Sequence, residues 1–164
     1  MKRIAAALFI WILSATLLCG CRRVLPDQTI VCREITITLP GDFEDLSHQT
    51  YAQDVEMVYG ADGIVISAIA EPADELALYF PNIDAEQYAQ LVIRAYDLSG
   101  DAQMVDGIPS FTYTVETGDM EITYLVGVFA SDTHFWMVQA YCSAEEYPVN
   151  QPEMWEYISS VTAN

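Results

Sequence analysis

Lysine is absent from this chain beyond Lys2, and histidine occurs only as His48 and His134. Apart from Lys2 and Arg3, the bases are Arg22, Arg23, Arg33 and Arg94, set against 24 aspartates and glutamates that all follow residue 20. Beyond Arg33, 23 acids face Arg94 alone. Such a surface repels phosphate backbones, which excludes nucleic-acid binding, and it repels anionic lipid for the same reason. The charge is read first as colloidal solubility, with weak binding of divalent cations or cationic ligands as the sharper alternative. Chemistry-bearing motifs are missing as well. There is no G-x-S-x-G, phosphate-binding loop, G-x-G-x-x-G or H-E-x-x-H, and no thiolate–imidazole cluster for zinc. No cofactor is expected, and the chain has no internal repeat or low-complexity tract.

Few side chains are left for catalysis or metal binding. His48, beside Ser47 and near Asp45, supplies the components of a triad without triad spacing. Triads are defined by geometry, so a hydrolase using His48 stands as the alternative, and an exposed loop histidine as the plainer reading. His134 opens a strand after a turn and reads as a strand-end side chain. Asp97, Ser99 and Asp101 match the opening of a calcium loop, but Ala102 replaces the required glycine and Ile108 the bidentate glutamate. Asp42, Glu44 and Asp45 form an acidic loop that is expected to be solvated rather than a chelating site. Neither a catalytic nor a metal-binding residue is assigned, and the domain is read as non-enzymatic.

The N-terminus is far more specific. Met1-Lys2-Arg3 is followed by fifteen uncharged residues, Ile4 to Leu18, and then by Cys19-Gly20-Cys21. A cationic start, an apolar stretch of this length and a small residue before the cut define an export signal. Leu18, Gly20 and Cys21 at −3, −1 and +1 resemble the lipobox of bacterial lipoproteins, whose cysteine is alkylated with diacylglycerol. Leu18 is too large to precede a cleavage at Cys19, so cleavage is placed between Gly20 and Cys21, and lipid attachment at Cys21. An uncleaved anchor is the rival reading, although Ile4 to Gly20 is only seventeen residues, the short edge of a membrane span. Both readings place the remainder on the extracytoplasmic face of the cell membrane.

Residues 1–20 are therefore a signal peptide, 21–28 a membrane-proximal tether and 29–164 one globular domain. The tether reaches at most about 25 Å. The mature chain of 144 residues carries a net charge of −20 and can bury on the order of 70% of its unfolded surface. Arg22 and Arg23 sit beside the lipidated cysteine, where they can meet headgroups. Cys32 and Cys142 remain as a candidate disulfide. It would close a loop of about 110 residues and contribute about 4–5 kcal/mol if chain entropy governs. Two buried thiols acting as small apolar residues are the open alternative.

Along the domain, Ile35, Ile37 and Leu39 alternate with Thr36 and Thr38 as a half-buried strand ended by Pro40-Gly41. Val55–Tyr59 and Ile64–Ala70 flank a four-residue hairpin loop at 60–63. A short helical turn is expected near Leu76 to Leu78. Asp84 and Gln87 form a capping box, with Ile83 and Tyr88 placed as a hydrophobic staple. The helix that follows, over 85–97, carries Tyr88, Leu91, Val92, Ala95 and Tyr96 as its apolar stripe. Strands at 111–116, 120–129 and 134–142 are joined tightly enough to run antiparallel, and a last helix starts at Pro152 with Met154, Trp155 and Ile158 inward. Phe135, Met137 and Tyr141 take one face of their strand, Trp136, Val138, Ala140 and Cys142 the other. A strand apolar on both faces needs cover on both. The expected fold is α+β: an α/β/α sandwich, an antiparallel sheet of five to seven strands covered by helices on both faces. The aromatic groups Tyr79-Phe80, Phe135-Trp136 and Trp155 with Tyr157 are read as core.

The order of these elements resembles a known family. The strand from Ile35 to Phe43, the hairpin, the helix from Asp84 to Leu91, the strand from His134 to Cys142 and the helix at Pro152 to Trp155 are similar to the PsbP/DcrB-like small lipoproteins of Gram-positive bacteria. The likeness spans roughly residues 30–162 and rests on patterns of apolar and turn residues. It implies the same sandwich and an accessory or binding role, with no family active site to carry over. Expected partners are the membrane, through the diacylglyceryl-cysteine, and a possible protein at the cell surface.

Overall fold

The computed structural model describes residues 25–48 and 55–164. The expected signal peptide, the expected cleavage pair Gly20 and Cys21, and residues 22–24 of the expected tether lie outside the described residues. Ten strands and three helices follow one another as β1 (Gln28–Cys32), β2 (Ile35–Leu39), β3 (Glu44–Asp45), β4 (Val55–Ala61), β5 (Ile64–Pro72), α1 (Ala73–Ala77), α2 (Ala85–Ala95), β6 (Gln103–Val105), β7 (Ile108–Thr117), β8 (Met120–Ala130), β9 (His134–Ser143), α3 (Tyr147–Ser159) and β10 (Thr162–Ala163). Seven strands form one antiparallel sheet in the order β3-β4-β5-β9-β8-β7-β6, and β1-β2-β10 form a second, small one.

Turn chemistry sets several of these boundaries. Between β4 and β5 only Asp62 and Gly63 are unpaired, at φ 46° and 84°. Two consecutive left-handed residues make the mirror-image turn whose twist matches paired strands. The hairpin therefore closes two residues tighter than the expected loop at 60–63. Asp106 and Gly107 repeat the device at φ 51° and 84°, which joins β6 to β7 and turns the failed calcium loop into a helix end and a hairpin.

The long sheet is covered on both faces, but not by helices alone. On one face Leu125, Trp136, Val138, Ala140 and Cys142 pack against Met154, Tyr157 and Ile158 of α3 and against Ile35, Ile37 and Leu39 of the small sheet. On the other face Phe111, Val126, Val128, Phe135 and Met137 pack against Tyr88, Ala89, Val92 and Ile93 of α2. The two-faced alternation of β9 is thus observed, and one of its covers is a mixed layer of helix and sheet. β1, which starts at the end of the expected tether and is not among the expected strands, belongs to that layer.

Both long helices differ in detail from the sequence reading. The capping box is formed, with the Gln87 backbone N–H donating to Asp84 Oδ1 at 2.8 Å and the Asp84 N–H to Gln87 Oε1 at 3.1 Å. The helix buries Tyr88, Ala89, Val92 and Ile93, whereas Ala95 and Tyr96 are exposed. α3 begins at Tyr147, five residues before the expected start, and takes Pro148 in its first turn and Pro152 inside. A first-turn proline lacks only an N–H that has no helical partner. Pro152 removes one interior bond, which the burial of Met154, Tyr157 and Ile158 beyond it offsets.

Candidate functional site

α2 has only eleven residues, about 16 Å of helix, and does not extend over the whole sheet. Farther along the same face, Ser67, Tyr113, Tyr124, Gln139 and Tyr141 line an open cavity of about 710 Å³, walled by Val92, Tyr96 and Leu98 on the helix side and by Ile69 and Glu71 on β5. That volume lies within the range of small-molecule sites. The three tyrosines stand in register on β7, β8 and β9, Tyr113 opposite Tyr124 and Tyr124 opposite Tyr141. Their ring centroids are 4.7 Å apart at both steps, with interplanar angles of 2° and 32°. Strand spacing alone sets such a stack, because neighbouring strands lie about 4.8 Å apart. Burial pushes the phenols of Tyr113 and Tyr124 above the ordinary tyrosine range, so both are neutral.

Two polar groups interrupt this apolar lining. Ser67 and Gln139 are register partners on β5 and β9, only 5% and 8% exposed, and neither side chain hydrogen-bonds another described residue. An amide and a hydroxyl thus line the open cavity with no side-chain partner among the described residues, where water or a ligand can meet them. The Tyr88 hydroxyl is buried beside the Glu71 carboxylate. Burial raises its pKa first, and the neighbouring Glu71 carboxylate raises it further.

A second cluster joins the two sheets. The Glu34 carboxylate, in the β1–β2 turn, accepts from the Ser131 and Thr133 hydroxyls and lies 3.2 Å from His134 Nδ1. Trp136 Nε1 and the His134 backbone N–H both donate to Ser131 Oγ at 3.2 Å. Hydrogen bonds, those from Ser131 and Thr133 first, hold Glu34 down to a pKa of about 2. Serine, histidine and a carboxylate meet here, but in the wrong order for acyl transfer. The carboxylate contacts the hydroxyl directly, whereas a nucleophilic serine needs the imidazole between them. The cluster is a clasp, and His134 is part of it rather than a plain strand end. Sequence reading missed it because nothing marks Glu34 among 24 acids.

The other candidates do not converge. Hydrogen bonding from the Ser47 side chain first, and then from the Ser47 backbone N–H, which donates to Asp45 Oδ1 at 2.8 Å, lowers the Asp45 pKa. His48 is exposed beside them, in a loop outside both the cavity and the clasp. Among the described residues no three carboxylate, imidazole or thiol side chains gather to hold a metal, Asp42, Glu44 and Asp45 included. The Cys32–Cys142 bridge is not formed and both thiols are free. Cys32 Sγ approaches the Glu56 carbonyl at 3.8 Å, while Cys142 Sγ faces Met154 Sδ across the α3 interface, also at 3.8 Å. One lies at the end of a small-sheet strand and the other within the core, and burial raises both pKa values. Phe135, Trp136 and Tyr157 build core as read, and Trp155 is half-buried, but Tyr79 is 79% and neighbouring Leu78 78% exposed, with Phe80 beside them. Cys21 lies outside the described residues, and among those described no helix is long and apolar enough to cross a membrane.

This architecture, a large antiparallel sheet with α2 on one face and α3 plus a small sheet on the other, is the PsbP-like α+β fold. Cyanobacterial PsbP (CyanoP) from Synechocystis sp. PCC 6803 superposes with a TM-score of 0.59 at 14% identity, over 89% of this chain and 97% of that one. A protein from Bacteroides thetaiotaomicron gives 0.55 at 8% identity, over 85% of this chain and 48% of the other. LpqN, involved in cell envelope biogenesis of Mycobacterium tuberculosis, gives 0.46 at 14% identity over 84% and 90%, a likeness too distant to carry an argument. No protein-family model and no curated protein matches the chain. Identities this low define the fold and transfer no activity.

Proposed function

We propose that this chain is a lipid-anchored extracytoplasmic lipoprotein of the Gram-positive kind, an accessory domain that binds a small molecule rather than transforming one. The observation that carries the binding role is the tyrosine-floored cavity, where Ser67 and Gln139 present unused hydrogen-bonding groups. A preformed apolar cleft with a few convergent polar groups is how a fold takes up a small ligand. Among the described residues no nucleophile–base pair lines it and His48 lies outside it, so the hydrolase reading finds no support in its geometry. The anchor is argued from the lipobox at Cys21. Its diacylglyceryl group supplies two acyl chains, which stable anchoring requires.

Both halves can be tested separately. Cys21→Ala should abolish labelling of the chain by a radioactive fatty acid, and unchanged labelling would refute the anchor. For the cavity, a screen of small amphipathic molecules should find ligands that raise the melting temperature of the wild-type chain. Gln139→Leu should remove that rise, and retention of the full shift would place binding elsewhere. The exposed Leu78-Tyr79-Phe80 loop favours a second reading, a protein partner at the cell surface. It predicts that a photo-crosslinker at position 79 captures one membrane-associated protein.

A further inference from the structure

The lining of the tyrosine cavity discriminates by charge. Among the described residues, Glu71 is the one carboxylate on its wall, and no lysine or arginine lines it. The two arginines among the described residues are engaged elsewhere: Arg33 pairs with Glu56 at 3.0 Å, and Arg94 donates to the Gln90 carbonyl at 3.2 Å. An anion entering the cavity would shed water and find no counter-charge, in a chain whose mature net charge is −20. A cation meets the opposite situation. Glu71 supplies a counter-ion, and Tyr96, 67% exposed at the helix end, presents an aromatic ring at the wall. The neutral polar groups of the lining, Ser67, Gln139 and the tyrosine hydroxyls, can each accept as well as donate, which suits an ammonium N–H.

We infer that the cavity selects amphipathic organic cations, with a protonated nitrogen at Glu71 and an apolar or aromatic body over the lining that runs from there toward the Ser67–Gln139 pair and the tyrosine stack. This deepens the binding role proposed above and rests on it. Three roughly isosteric probes separate the two claims: 2-phenylethylamine, protonated at neutral pH, 2-phenylethanol and phenylacetate. Each is titrated calorimetrically into the mature lipidated chain in neutral phosphatidylcholine nanodiscs, with empty nanodiscs subtracted. Salt at about 0.15 M screens the general field of the acidic surface.

The amine should bind at least about tenfold more tightly than the alcohol, a factor within reach of one partly desolvated charge pair and a ring contact. Phenylacetate should not saturate. Glu71→Gln should bring the amine down to the affinity of the alcohol, and Gln139→Met, which keeps the volume, should weaken both. Equal binding of amine and alcohol, or a preference that survives Glu71→Gln, overturns cation selection while the binding role stands. Failure of all three probes overturns the selection, and failure of the wider ligand screen as well overturns the binding role beneath it.

Discussion

Glu34 ties together parts of the chain that lie far apart in sequence. Its carboxylate sits in a two-residue turn, yet its partners Ser131, Thr133 and His134 are 97, 99 and 100 residues away. The Asn164 backbone N–H also reaches the Glu34 carbonyl at 2.9 Å, so the last residue is fastened at the same point. The pKa of Glu34 is lowered from 4.5 to about 2, so folding favours its ionised form. For a lowered acid the stabilisation is complete above the unfolded pKa and is lost as pH falls through the folded one. Melting temperatures should therefore drop as pH is taken from above 4.5 down towards 2, and Glu34→Gln should flatten that part of the profile. An equally steep profile in the variant would remove Glu34 from the account. None of this was visible in the sequence, where Arg33-Glu34 is merely a polar pair between two strands. The Asp84 capping box was visible, because both partners lie within four residues.

At the level of elements, the contact between α3 and β8 depends on a missing side chain. A Cβ added at Gly127 would stand 2.4 Å from Ile158 Cγ2, so the helix rests directly on the strand backbone there. Gly127→Ala should cost about 1–3 kcal/mol by overpacking. Adding Ile158→Val should return part of that loss, since the two sites share one contact. Denaturant unfolding of the two single variants and the double would measure the coupling, and strict additivity would argue against a shared clash. On the opposite face, Asp84→Ala should lower stability by about 1 kcal/mol through loss of the cap of α2. The apolar stripe of α2 was only partly legible. Leu91, Ala95 and Tyr96 continue a helical period from Tyr88 and Val92 as well as Ala89 and Ile93 do. Sheet residues such as Phe135, stacked on Tyr88 at 4.8 Å, decide which side turns inward.

For the whole molecule, repulsion among acids opposes compaction. All 24 acidic residues follow the leader, and only Arg33 and Arg94 offset them within the described residues. Raising the ionic strength from about 0.01 to about 0.15 M shortens the Debye length from about 30 to about 8 Å. The melting temperature should rise over that range, as expected when self-repulsion is screened. A fall would mean that favourable ion pairs outweigh the repulsion. The cation selection inferred for the tyrosine cavity follows the same sign, since its described lining has an acid and no base.

Read alone, the chain determined the elements whose causes are local. Strand alternation, the Asp84–Gln87 cap and the two-faced strand at 134–142 all depend on residues a few positions apart, and together they led to a covered antiparallel sheet. Only the tertiary structure decided what depends on distant neighbours: the small sheet as a cover, the Glu34 clasp, the two free thiols and the cavity. Tyr113, Tyr124 and Tyr141 look unrelated in the sequence because strand register, not spacing along the chain, sets them in a stack. Ser67 and Gln139 look like ordinary polar residues until strand pairing sets them side by side in the lining of the cavity.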